Sequence, residues 1–209
     1  MQAKISCAEL GVLDGPLLLF GGPYSNLQAV EALAAFAAAR GIDGGQMICT
    51  GDIVAYCGAP RECVAAIRAL GCAVVAGNCE VQLASGAEDC GCGFAPGSSC
   101  DMLSGAWYAH AAGQLDADAK DWMGRLPDVA VFRHQGQRYG VIHGGVRDVA
   151  RFIWSETAAA VFDEEWQALE DIAGPVDYII AGHSGLPFIR ETARGRWINA
   201  GVIGMPPHD

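Results

Sequence analysis

Four short apolar runs in this chain each lead into a residue that can bind a metal. Run 47–50 precedes Gly51 and Asp52, and run 74–76 precedes Gly77 and Asn78. Run 139–142 precedes His143, and run 178–181 precedes Gly182 and His183. One carboxylate, one amide oxygen and two imidazoles form a mixed oxygen and nitrogen set. Such a set suits Mn, Fe or Zn better than Ca or Mg. Alone, an Asp after Gly is ordinarily a turn residue, and a lone His is ordinarily hydrogen-bonded rather than metal-bound. The weight lies in the repetition of one local pattern.

The elements that must position these residues alternate in type. Strand-like runs fall at 17–20, 46–50, 72–76, 130–133, 138–142, 178–181, 188–192 and 196–199. Helical stretches run from about 27 to 40, then over 61–70, 107–110, 117–125 and 158–172. Ser25 with Gln28 three residues on reads as a capping box opening the first helix. Residues 86–105, rich in Gly, Ser and Cys, read as a loop. Alternation followed by paired strands predicts α/β layers with mixed sheets. In such folds ligands bind at the carboxyl ends of strands, where the four candidates stand.

Bulk properties narrow the partners. With 209 residues the chain fits one domain, 1–209. A net charge of -11 and no Lys/Arg cluster argue against a nucleic-acid duplex and against an acidic membrane. No export signal or spanning segment is visible. Nine cysteines, an odd number, suggest free thiols in a reducing compartment, with the cytoplasm as default. The oligomeric state is left open.

Taken in order, the motifs resemble those of the calcineurin-like metallophosphoesterases. Gly51-Asp52, Gly77-Asn78-Cys79-Glu80, His143-Gly144-Gly145 and Gly182-His183 are similar to that family's ligand motifs. The flanking residues look most like a small bacterial branch of phosphodiesterases and diadenosine tetraphosphatase-like proteins. The resemblance implies a four-layer α-β-β-α sandwich with two mixed β-sheets and hydrolysis of a phosphate mono- or diester or nucleotide. It implies Asp52, Asn78, His143 and His183 as metal ligands, with Asp52, Asn78, Cys79 and His143 as the catalytic set. It also implies a divalent metal (Mn, Fe or Zn) and a small phosphorylated ligand. The family's second ligand set departs: Gly22, Tyr24 and Gly185 stand where an Asp and two His are expected. The expectation is one retained metal site and one lost. A weakly active or inactive metal- or nucleotide-binding protein on the same fold is the competing reading.

Other residues are candidates for the missing half. The turn 21–27, with Gly22, Tyr24, Ser25 and Asn26, reads as an anion site at a helix N-terminus. Tyr24 can bind Fe(III) as a phenolate, although a packing role is the commoner one. Arg147 is a candidate phosphate ligand, and Arg151 reads as a surface ion-pair residue. Cys79, Cys90, Cys92 and Cys100 form a candidate thiol or metal site, which would suit a metal- or redox-responsive protein.

Overall fold

The computed structural model describes residues 5–92 and 97–206, the side chains of 99–101 excepted. Among these residues two sheets form. The smaller is parallel throughout, in the order β2 (Leu18–Phe20), β3 (Met47–Cys49), β4 (Ala73–Val74). The larger is mixed and contains β1 (Cys7–Val12), β5 (Val129–His134), β6 (Gln137–Val141), β7 (Tyr178–Ala181), β8 (Phe188–Glu191) and β9 (Arg196–Asn199). Its order is β1-β5-β6-β7-β9-β8. Gln135 and Gly136, both at positive φ, turn β5 into β6.

Side-chain alternation along the strands builds the layers. Ile48, Ala130, Phe132, Val141 and Ile180 point between the sheets and form their shared core. Met47 and Cys49, on the other face of β3, pack with α1 (Leu27–Ala38), α2 (Pro60–Leu70) and α3 (Asn78–Ser85). The same cluster takes in α4 (Ser99–Gln114) and α5 (Ala117–Met123). Val129, Val131, Ile179 and Trp197 face the opposite way, onto Phe162, Trp166 and Leu169 of α6 (Ala159–Ala173). The result is helices, sheet, sheet, helix, which is the expected sandwich.

Two local expectations need correction, and one strand was not anticipated. The N-cap of α1 is Asn26, whose side chain accepts from the Ala29 amide at 3.1 Å, not Ser25. The segment 86–105 is not all loop, because α4 begins at Ser99 and absorbs the short stretch 107–110. Residues 93–96 of that segment lie outside the described residues. Strand β1 lacks an apolar pattern, since it forms by parallel pairing to β5 at the sheet edge and is largely exposed.

A single carboxylate ties together the turns after β3 and β4. Glu80, fully buried, accepts from the amides of Asp52 (2.8 Å), Ile53 (2.8 Å), Val54 (3.3 Å) and Gly77 (2.9 Å). Burial and the neighbouring Asp52 charge push its carboxyl up to about 7, and the Gly77 and Asp52 amides oppose that shift. Close approach of the two turns also needs Gly77. A Cβ there would collide with Asp52 Oδ1 and stand 2.6 Å from the Asp52 nitrogen.

Two outcomes follow in urea unfolding. Phe132→Ala removes a fully buried ring stacked on Tyr139 at 4.8 Å and should cost about 3–5 kcal/mol. Glu80→Ala strands four amides in the interior and should cost about 3 kcal/mol or more. A loss under about 1 kcal/mol for Glu80→Ala would show that the carboxylate is not the tie described here.

Candidate metal centre

The four strand-end residues meet. Asp52 and Asn78 come from the smaller sheet, after β3 and β4, and His143 and His183 come from the larger, after β6 and β7. All four are buried. One ligand atom each of Asp52, His143 and His183 lies within 4.8 Å of the others. The backbone is bent to achieve this: Asp52 (φ 55) and His183 (φ 57) both hold left-handed conformations, which side chains other than glycine's seldom adopt.

His143 sits at the middle. Its Nδ1 lies 2.5 Å from the carbonyl oxygen of Thr50. A carbonyl only accepts, so Nδ1 carries the proton and Nε2 presents a lone pair. That lone pair faces Asp52 Oδ2 at 3.3 Å, Asn78 Oδ1 at 3.2 Å and His183 Nδ1 at 3.0 Å. Asn78 is oriented by its other end, because its Nδ2 donates to the Cys90 carbonyl at 2.8 Å. Four electron-pair donors therefore converge. A proton satisfies one contact at a time, whereas a metal ion satisfies all four, and the donor set fits one.

The charges respond to this crowding. Burial would raise the Asp52 carboxyl, but the facing His143 holds it down at about 2. Burial disfavours charge on His143, and the Asp52 carboxylate outweighs it and raises the imidazole. His183 is pushed down to about 4 by burial and by His143. Its ring lies under Phe152, with centroids 4.3 Å apart, and its buried Nε2 has no hydrogen-bond partner among the described residues.

Around this centre the other candidates divide. Tyr24 borders the cavity at Asp52. A Cβ on Gly22 would stand 2.8 Å from Tyr24 Cζ and 2.5 Å from Val202 Cγ1, so the tyrosine ring and Val202 fill the space an Asp side chain would need. Gly185 faces the same Val202, at 3.7 Å from a built Cβ. Burial and the Asp52 charge push the Tyr24 phenol far up, which favours its protonated form in the absence of a metal.

The anion-site expectation for the turn 21–27 is not met. The amides of Gly22, Tyr24, Ser25 and Asn26 donate to the carbonyls of Gly51, Asp52, Ile53 and Pro23, which leaves none of the four for an anion. Asn26 is occupied as a cap and donates to the Gly204 carbonyl. Ser25 is buried with its hydroxyl unpartnered among the described residues, and it lies with Asn26 in a separate cavity beside Cys57. Arg147 is not brought to the centre either, since it is exposed and pairs with Asp171 at 3.4 Å.

The cysteines also rearrange the expectation. Cys79 is a buried thiol raised by burial and by the Asp52 and Glu80 charges, which is the reverse of an activated nucleophile. Cys90 and Cys92 are joined in a disulfide rather than free, across Gly91 at φ 63. They do stand at the site: Cys92 borders the cavity, and its sulfur lies 3.4 Å from Asn78 Nδ2. The Cys100 side chain lies outside the described ones. Sequence reasoning assigned no role to Glu80 or Phe152. Glu80 was findable as the third residue of α3 after the Gly77 cap, a capping-box position. Nothing in the sequence singled out Phe152.

Solved structures share this fold. A hypothetical protein from Pyrococcus horikoshii OT3 matches with a TM-score of 0.71 and 18% identity, covering 93% of this chain and 79% of that one. A metallophosphoesterase from Sphaerobacter thermophilus matches at 0.64 and 22% identity, covering 92% and 79%. A diadenosine tetraphosphatase-like protein matches at 0.55 and 18% identity, covering 95% and 88%. No curated protein matches the sequence. Residues 25–209 match the calcineurin-like phosphoesterase superfamily domain, whose members are phosphoric ester hydrolases that use divalent metals. With that match spanning most of its length and the four candidate ligands gathered at the strand ends, the chain belongs to the calcineurin-like phosphoesterase superfamily.

Proposed function

We propose that this protein hydrolyses a phosphate ester with one divalent metal held by Asp52, Asn78, His143 and His183, the family's other metal site having been lost. The observation that carries the reading is the convergence on His143 Nε2 of three further donors at 3.0–3.3 Å. Nitrogen and oxygen donors together favour Mn, Fe or Zn. When bound, such an ion supplies Lewis-acid polarisation of a phosphoryl oxygen.

The chain's own residues do the rest. Thr50 locks the His143 tautomer, and Cys90 turns the Asn78 oxygen inward. Asp52 stays ionised at neutral pH, its carboxyl held at about 2. Phe152 packs on the His183 ring and helps fix its orientation. Cys79 remains a thiol and does not attack phosphorus.

Support for a lost second site is that Gly22 and Gly185 carry no donor atom, while Tyr24 keeps its proton and packs into the space beside Gly22. The family's two-metal clamp on the attacking and leaving oxygens then has only one arm, and turnover on generic esters is slow.

Metal analysis of the Mn-, Fe- and Zn-loaded protein, run beside release of p-nitrophenol from bis(p-nitrophenyl) phosphate, tests this. The expected result is about one metal per chain, with occupancy falling roughly tenfold or more in His143→Ala and His183→Ala. Tyr24→Phe should keep the metal. Two metals per chain would overturn the lost-site reading. A loaded protein that releases no p-nitrophenol with any of the three ions would overturn the hydrolase reading.

A further inference from the structure

A cavity of about 340 Å³ opens directly onto Asp52 and His183. Its walls are not those of a phosphate pocket. Tyr24, Tyr56, Leu103, Phe152, Val202 and Met205 supply most of them. No Lys or Arg is among the described residues that border it.

The apolar character continues outward. Tyr56, Leu103 and Phe152 are 40%, 68% and 42% exposed at the mouth. Solvent-exposed apolar rings beside a reactive centre mark a ligand surface more often than chance packing. The volume is roughly twice the ~150 Å³ that accepts a benzene ring in an apolar cavity. The rings are also held in place: Tyr24 meets Tyr56 edge-on at 4.8 Å, and Tyr56 leans on Trp107 at 5.3 Å. Such a wall presents aromatic faces and edges to an incoming ring without first having to order itself.

Building on the phosphoesterase reading above, we infer that this cavity binds an aromatic or similarly bulky apolar group carried by a singly charged phosphate ester. The apolar walls set the group, because each ring buried there leaves water without leaving a polar atom unpaired. The missing cations set the charge. With an ion bound at Asp52, a doubly charged ester would have that ion alone to offset its charge, because no Lys or Arg stands on the bordering walls. A diester, with one charge and two substituents, suits both the walls and the charge.

Calorimetric titration of the Mn-loaded full chain with diphenyl phosphate, dimethyl phosphate and phenyl phosphate decides this. Diphenyl phosphate should bind at least about 10-fold more tightly than dimethyl phosphate, which is the scale of burying one ring. It should also bind more tightly than doubly charged phenyl phosphate at pH 8. Tyr56→Ala and Leu103→Ala, both at partly exposed rim positions, should erase most of the phenyl preference. Equal affinity for the phenyl and methyl diesters, or a preference unmoved in both variants, would overturn the apolar assignment. Tighter binding of phenyl phosphate would overturn the charge assignment. These outcomes stand apart from catalysis. A phenyl preference without turnover removes the hydrolase reading and keeps the pocket, whereas turnover without a preference does the reverse.

Discussion

The structure turns on the need to hold several electron-pair donors against one another in a dry interior. Carboxylate, amide and imidazole atoms at 3.0–3.3 Å repel unless something positive lies between them. Nearly every unusual local feature serves that crowding. Asp52 and His183 accept left-handed backbone to aim their side chains. Gly77 gives up a side chain so that the Asp52 turn can pass against it. Glu80 gathers the amides of both turns, which fixes the distance between Asp52 and Asn78 before any ion arrives. The cost of this arrangement is met by packing elsewhere, in the core between the sheets and in the two helix-facing clusters.

Two sides of the centre are neighbours here, and they differ in kind. On one side lie polar donors supported by backbone carbonyls. On the other lie Tyr24, Val202 and Gly185, an apolar corner beside the same Asp52. Polar preorganisation and apolar recognition therefore meet across a single carboxylate. The Tyr24 phenol, raised by burial, adds a flat face to that corner.

Much of this was legible in the sequence because it is periodic or local. The runs leading to Asp52, Asn78, His143 and His183 announce strands by their apolar residues, and the polar residues that follow them meet at one centre. The α/β layers follow from the alternation of strand and helix, and the four-layer sandwich from the family resemblance. What was not legible depends on pairing across the chain. Strand β1 has no apolar signal and exists because β5 offers it an edge. The anion site expected at Gly22 to Asn26 fails because distant carbonyls at Gly51, Asp52 and Ile53 take the amides. Arg147 is near His143 in sequence, yet the chain turns it outward to Asp171. The disulfide between Cys90 and Cys92 departs from the free thiols that an odd cysteine count suggested.

Two of the four candidate ligands follow strands of the three-stranded sheet and two follow strands of the six-stranded sheet, so an ion held there would span the seam between layers. Binding there is linked to docking of the sheets. An ion that binds only the docked form stabilises it by RT ln(1 + [ion]/Kd). Linkage is reciprocal: anything that loosens the packing of Ile48, Phe132 and Ile180 also weakens the ion's grip, although none of these side chains supplies a donor. Occupancy of the centre is then a gauge of how firmly the two halves of the molecule are closed on each other.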